Sequence, residues 1–245
     1  MAEWLTVTFH DAGWATRPSL HSQAGAAIFI AEQSVRRGDK PGRATMLDWV
    51  CAKIERVVRS SFEAEINSAQ IALDHMEYAN AFLTMCIMNM NAKEHRERQT
   101  TKRSILIGDN KGLYTAIGAA NPITTRGEKR LTIDKVIMKD HLTSYRVDYY
   151  WTNSGHQLAD GFTKLSSAGG RVDLLLQAVQ SGTIRIVYSE VSGRKEAKEQ
   201  AYDCHNAFGD NLFPLNIDDE NDHELQQTNP DNTIDGWDKF YFDLF

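Results

Sequence analysis

The sequence has few cysteines and no long apolar segment, and both absences narrow what the protein can be. Its three cysteines, Cys51, Cys86 and Cys204, are widely spaced and odd in number. This pattern argues against a disulfide framework or a cysteine zinc cluster, and it predicts a reducing, intracellular setting. No run approaches the roughly 20 apolar residues that a membrane-spanning helix requires.

Other common motifs are missing too. The chain has no glycine-rich phosphate loop of the nucleotide-binding kind. Its eight histidines show no helical i, i+4 spacing of the kind that binds zinc. The N-terminus lacks a basic region followed by an apolar stretch, so we expect no secretory signal.

Charge is divided unevenly along the chain. The net charge is −6, but residues 1–189 carry a formal +4 and residues 190–245 carry −10. A mildly basic body suits a polyanionic partner, whereas an acidic end does not. The end is also polar and weakly periodic. We therefore predict one folded domain, 1–189, and an acidic, largely disordered C-terminal extension, 190–245.

The hydrophobic pattern of the first region predicts an α/β fold. Three short strand patterns come first, and an amphipathic helix follows at Ser60 and Ser61. The apolar residues of this helix recur at a spacing of three to four: Phe62, Ile66, Ala69, Leu73 and Met76. Two further strand patterns then alternate with helices, and TIRIVY is a last strand-like run. This order indicates a mixed sheet with helices packed on it.

Four carboxylates lie at the ends of these elements. Asp11 ends the first strand pattern, Glu65 opens the first helix, Asp109 ends the fourth strand pattern and Asp160 starts a later helix. Each alone also fits a simpler role as a turn residue, a surface charge or a helix cap. Together they would cost too much to bury without cations, so their convergence predicts a divalent metal site. A pair of such metals suits in-line attack on a phosphodiester.

Glu63 competes with Glu65 for the role of metal ligand, and the helical phase separates them. Glu65 lies beside the apolar stripe, between Phe62 and Ala69, and should face the sheet. Glu63 belongs to a face that we predict to be solvated and that continues through Asn67, Gln70, Asp74 and Glu77.

His156 lies four residues before Asp160 in a glycine-containing loop. A histidine beside a metal-bound phosphate could transfer a proton or assist product release, so His156 is a candidate catalytic residue. An exposed loop histidine is the simpler interpretation.

Four segments together resemble a known family: DAGWATRPSLHSQAGA, VRSSFEAE, ILIGDNKG and VDYYWTNSGHQLADGFTK. They are similar, in the same order, to the ribonuclease H region of copia-type retrotransposon polyproteins. The resemblance covers about residues 5–189. Its most specific parts are the Arg-Ser-Ser-x-Glu-Ala-Glu and Gln-Leu-Ala-Asp-x-x-Thr-Lys patterns.

This resemblance implies a ribonuclease H-like fold, with a five-stranded mixed sheet that starts with three antiparallel strands and is flanked by helices. It also implies hydrolysis of the RNA strand of RNA–DNA hybrids. Two Mg²⁺ ions, replaceable by Mn²⁺, would be held by the four carboxylates: Asp11, Glu65, Asp109 and Asp160. The residues placed to contact the hybrid are Arg59, Ser60, Ser61 and Asn110.

The resemblance further implies partners and a location. The hybrid is the expected ligand, a reverse transcriptase domain or polyprotein is an expected partner, and the protein should be a monomer in a cytoplasmic particle or the nucleus. In this family a reverse transcriptase normally precedes the region, and none is seen in this sequence. The acidic end is also longer than the family region requires. A catalytically silent remnant that binds nucleic acid or protein is therefore the alternative. An integrase or transposase on the same fold is disfavoured, because its last carboxylate would be a glutamate on a helix after the second aspartate.

Overall fold

The computed structural model describes residues 4–16, 20–87, 89–91, 93–95, 104–119, 129–164 and 172–188. The predicted C-terminal extension, 190–245, lies outside these residues. Among the helices that are described, none has both the length and the hydrophobicity to cross a membrane.

Six strands and five α-helices are formed by this part of the chain. The strands are β1 (Trp4–Gly13), β2 (Gln23–Glu32), β3 (Gly42–Lys53), β4 (Ser104–Gly108), β5 (Val147–Trp151) and β6 (Thr183–Ile184). The α-helices are α1 (Ser61–Phe82), α2 (Lys111–Gly118), α3 (Lys129–Ser144), α4 (Asp160–Thr163) and α5 (Val172–Ser181).

The strands form one mixed sheet in the order β5-β4-β1-β2-β3-β6. The first three strands are antiparallel neighbours, and β1, β4 and β5 are parallel. The predicted five-stranded arrangement is therefore confirmed, with one addition. The run TIRIVY contributes a sixth strand of only two residues, because Thr183 and Ile184 alone pair with β3, at Arg43 and Gly42.

Both faces of the sheet are covered, and β1 lies at its centre. Val7 and Phe9 point into an apolar core that includes residues of α5. On the other face, Ile28 and Leu106 pack with residues of α1, including the predicted stripe residues Ile66, Ala69, Leu73 and Met76. Burial on both faces explains the apolar run Ile105, Leu106 and Ile107 in the middle of β4, which is buried along its whole length.

The solvated face predicted for α1 is wrong at Glu63 and Asn67, where the helix starts, and correct at Asp74, which is exposed. Glu63 is 5% exposed and Asn67 is 6% exposed. Arg56 Nη2 and Arg130 Nε lie 3.9 Å and 3.8 Å from Glu63 Oε1. Arg56 also donates two hydrogen bonds to Asp134 of α3, at 3.1 Å and 2.5 Å. Helix α3 therefore covers the start of this face and holds the first turns of α1 in place.

Candidate metal centre

Three of the four predicted carboxylates converge in the structure. One ligand oxygen each from Asp11, Glu65 and Asp109 lies within 4.8 Å of the other two. Asp11 and Glu65 are buried, and Asp109 is half-buried. Three acidic groups this close repel one another strongly unless cations or protons neutralise them.

The sheet register brings the two aspartates together. Strands β1 and β4 are parallel and pair up to Phe9 and Ile107, so Asp11 and Asp109 both lie two residues beyond the last pair. Ser68 of α1 donates a hydrogen bond of 2.6 Å to the backbone oxygen of Asp11. Helix α1 is thereby fixed against the same edge of the sheet.

The start of α1 is capped in a way that orients Glu65. The Ser60 hydroxyl accepts a hydrogen bond from the Glu63 backbone N–H at 3.1 Å. The Glu63 carboxylate accepts one in return from the Arg59 backbone N–H, at 2.8 Å. The first bond satisfies a free donor of the helix start, and the second ties the residue before the cap to the helix. The Glu65 carboxylate accepts a hydrogen bond from the Ala12 backbone, so it faces the end of β1 as the helical phase predicted.

Asp109 is available to the cluster because its neighbour provides the helix cap. The Asn110 side-chain oxygen accepts from the Leu113 backbone N–H at 2.9 Å and caps α2. The alternative role of Asp109 as that cap is therefore wrong. Ser154 donates a hydrogen bond of 2.7 Å to Asp109 Oδ2, which links the carboxylate to the loop after β5.

Asp160 adjoins the cluster through a lysine. It is 3% exposed, and its Oδ1 accepts a hydrogen bond of 2.6 Å from Lys164 Nζ. The same ammonium lies 3.9 Å from Asp11 Oδ2. Thr163 also donates a short hydrogen bond to Asp11 Oδ2. Helix α4 thus contributes one carboxylate and one hydroxyl next to the three converging oxygens, and Lys164, directly after the helix, contributes one cation.

The hydrogen bonds of Gln157 and the close packing on Gly25 hold α4 in this position. The buried Gln157 side chain donates to the backbone oxygen of His10 at 2.9 Å and accepts from the Ala159 backbone N–H at 3.2 Å. Opposite Asp11, a Cβ on Gly25 would lie 2.7 Å from Thr163 Cγ2. The glycine lets α4 pack directly on β2.

The electrostatics are those of an unneutralised acidic cluster. Burial raises the pKa of Asp11 to about 6, and the charges of Asp109 and Asp160 add to this effect. Burial and the charges of Asp11 and Asp109 also raise the pKa of Glu65 well above its usual range. Such a site holds protons when it lacks another cation, and it suits a divalent ion because carboxylate oxygens are hard donors.

We expect Asp11 to lower the stability of the metal-free protein as pH rises. A carboxyl whose pKa rises from 3.8 to about 6 on folding binds its proton more tightly in the folded state. The loss of folding free energy that results from ionising Asp11 is absent below pH ~4 and grows to about 3 kcal/mol above pH ~6. In EDTA, Asp11→Asn should therefore gain stability relative to wild type over this interval, as urea unfolding curves would measure. A difference in unfolding free energy between the two proteins that is the same at both pH values would contradict the raised pKa of Asp11. Added Mg²⁺ should stabilise wild type relative to Asp11→Asn at the higher pH.

The remaining predicted site residues lie around the cluster. Arg59 and Ser61 are exposed at the start of α1, and Ser60 and Asn110 are half-buried at the starts of α1 and α2. Their contacts with a hybrid stay predictions. His156 is exposed in the turn Ser154–His156. It borders a cleft with residues of α5 such as Leu174, and its catalytic role stays a prediction.

Sequence reasoning missed three residues that contact the predicted ones: Gln157, Thr163 and Lys164. All three belong to the Gln-Leu-Ala-Asp-x-x-Thr-Lys pattern, so the signal was present in the sequence. Lys164 lies one helical turn after Asp160, a spacing that brings a cation to a carboxylate.

No protein-family model matches the chain, and no curated protein matches it in sequence. Among solved structures it is similar to LC11-RNase H1 isolated from compost, with 13% identity, a TM-score of 0.42, and coverage of 70% of this chain and 98% of that chain. It is also similar to the N-terminal RNase H domain of a Mycobacterium tuberculosis protein, with 14% identity, a TM-score of 0.36, and coverage of 63% and 91%. For the prototype foamy virus protease-reverse transcriptase the identity is 16%, the TM-score 0.32, and the coverage 74% and 21%. All three TM-scores are below 0.5, too low for the likeness to indicate an activity or a substrate.

Proposed function

We propose that this protein is a metal-dependent endonuclease that hydrolyses the RNA strand of RNA–DNA hybrids. The observation that carries the proposal is the convergence of Asp11, Glu65 and Asp109 within 4.8 Å, with Asp160 beside them. The sequence resemblance supports the substrate and a descent from a copia-type retrotransposon polyprotein. The proposed setting is an intracellular particle or the nucleus, where hybrids occur with a reverse transcriptase.

The residues fit a pair of Mg²⁺ ions. Glu65 Oε2 is buried and has no hydrogen-bond partner among the described residues, so an oxygen is available to a cation. Asp11, Glu65, Asp109 and Asp160 would hold the ions. When bound, they would activate water and stabilise the leaving 3′ oxygen.

The chain's own residues have defined tasks in this proposal. Thr163 and Ser154 hold the carboxylates of Asp11 and Asp109 in place through hydrogen bonds. Lys164 neutralises part of the acidic charge beside Asp160. Exposed Arg59 and Ser61 stand at the start of α1, where a backbone phosphate and a 2′-hydroxyl of the hybrid can be contacted.

The metal dependence of cleavage tests the proposal. A labelled RNA–DNA hybrid should be cut in Mg²⁺ or Mn²⁺ and only slightly in Ca²⁺, whose larger size and looser coordination support such chemistry poorly. Denaturing gels over a time course measure the rates, and double-stranded DNA of the same sequence is the control substrate. Cleavage of the hybrid at an undiminished rate in EDTA would contradict the proposal.

A further inference from the structure

A buried polar pair lies directly beneath the carboxylates. His10 precedes Asp11 and is 0% exposed, and Tyr149 of β5 is 2% exposed. The His10 Nε2 atom and the Tyr149 hydroxyl are 3.2 Å apart, and the two rings are stacked with centroids 5.8 Å apart. Two polar side chains this deeply buried need their hydrogen bonds to offset the cost of burial.

Gly108, the residue before Asp109, makes room for this pair. A Cβ at this position would lie 2.5 Å from His10 Nε2 and 2.6 Å from the Tyr149 hydroxyl oxygen. Neither atom can move freely inside the packed sheet. The His10–Tyr149 contact therefore restricts position 108 to glycine, on the strand that carries a carboxylate of the cluster.

The second nitrogen of His10 faces Glu65. His10 Nδ1 lies 3.8 Å from Glu65 Oε2. Both atoms are buried, and neither has a hydrogen-bond partner among the described residues. An unsatisfied buried donor and acceptor are each costly. A movement of about 1 Å would join them in an ordinary hydrogen bond.

The contact with Tyr149 bears on which His10 nitrogen carries the proton. The phenol has one proton to donate, and His10 Nε2 lies within hydrogen-bond distance of it; the direction of this bond depends on the tautomer of His10. A neutral imidazole that accepts at Nε2 carries its proton on Nδ1. In that tautomer the proton is on the nitrogen 3.8 Å from Glu65 Oε2, an atom without a hydrogen-bond partner among the described residues.

We propose that Tyr149 and His10 are positioning residues for Glu65, with the Tyr149 hydroxyl fixing the imidazole tautomer whose Nδ1–H holds the carboxylate in its metal-binding orientation. The inference rests on the proposed metal site and deepens it. Groups that orient a metal ligand in this way typically change metal affinity by about 10- to 100-fold when removed. In this proposal neither residue would contact a bound metal or the substrate.

The test uses Mn²⁺ binding to the full chain, measured by isothermal titration calorimetry without substrate. Tyr149→Phe should weaken Mn²⁺ binding by about tenfold, because it removes only the hydroxyl. Tyr150→Phe is the matched control: Tyr150 is the next residue, is also buried, and packs in the opposite core. It should bind Mn²⁺ as wild type does. Nitrogen-15 NMR of His10 should show the Nδ1–H tautomer in wild type and a mixture in Tyr149→Phe.

A double-mutant cycle separates positioning from a general loss of packing. In His10→Gln, an amide N–H reaches toward Glu65 without help from Tyr149, so adding Tyr149→Phe should cost no further affinity. An equal loss of Mn²⁺ affinity on adding Tyr149→Phe to wild type and to His10→Gln would overturn the proposed positioning of Glu65. Wild-type Mn²⁺ affinity and a wild-type His10 tautomer in Tyr149→Phe would overturn it as well. If wild type itself binds no Mn²⁺, the proposed metal centre fails, and that result is distinct from failure of the positioning role of Tyr149 and His10.

Discussion

Asp109→Asn should reduce cleavage of an RNA–DNA hybrid by at least ~1000-fold, since several kcal/mol of transition-state stabilisation depend on the ions. The amide keeps the shape of the carboxylate but removes the charge that the cluster needs to hold cations. Asp109 is half-buried and accepts its hydrogen bond from an exposed serine, Ser154, so the fold should tolerate the change. Single-turnover cleavage rates measure the loss.

Binding of the hybrid should survive the same substitution. The proposed contacts with the hybrid come from residues such as Arg59, which Asp109→Asn leaves in place. Asp173→Asn, at an exposed position of α5, is the matched control and should cut at the wild-type rate. Full activity of Asp109→Asn would refute the proposed mechanism. Loss of both binding and cleavage would instead place Asp109 in substrate recognition.

Gly25→Ala should damage both stability and cleavage. The new Cβ would lie 2.7 Å from Thr163 Cγ2, 2.9 Å from Phe162 Cβ and 3.1 Å from the Ala159 backbone oxygen. Helix α4 must then move away from β2, which costs about 1–3 kcal/mol. The shift also displaces Asp160, and a misplacement of about 1 Å can lower the rate by about 100-fold.

Gly161→Ala is the matched control for this change, because its Cβ would come no closer than 3.4 Å to a neighbouring atom. Thermal unfolding and hybrid cleavage should both stay near wild type in this variant. Equal effects of the two substitutions would show that the close packing of α4 on β2 is unimportant.

The sequence predicted the orientation of Glu65 on α1 for a local reason. Glu65 lies beside the apolar stripe of α1, and that stripe had to face the sheet. The helical phase alone therefore indicated Glu65, and not Glu63, as the residue that faces the site. The burial of Glu63 was missed because it depends on Arg130 and Asp134 of α3, which lie about 70 residues away. Hydrophobic periodicity describes one face of a helix and carries no information about a second helix that packs on it.

The surroundings of Asp160 show the same limit. The Gln-Leu-Ala-Asp-x-x-Thr-Lys pattern marked the segment, but the contacts of Thr163 and Lys164 with Asp11 arise only when α4 packs on Gly25. The His10–Tyr149 pair joins residues 139 positions apart, and no local pattern relates them. The sequence therefore predicted which elements carry the carboxylates, whereas the groups that orient them required the tertiary structure.

The cleavage assay tests the central claim most directly when each strand of the hybrid is labelled in turn. With Mg²⁺, the wild-type chain should cut the RNA strand, leave the DNA strand intact, and release products with 5′-phosphate and 3′-hydroxyl ends. Asp109→Asn should cut neither strand under the same conditions. Cleavage of the DNA strand, or an intact RNA strand in the presence of bound metal, would contradict the assignment of this carboxylate cluster to RNA hydrolysis.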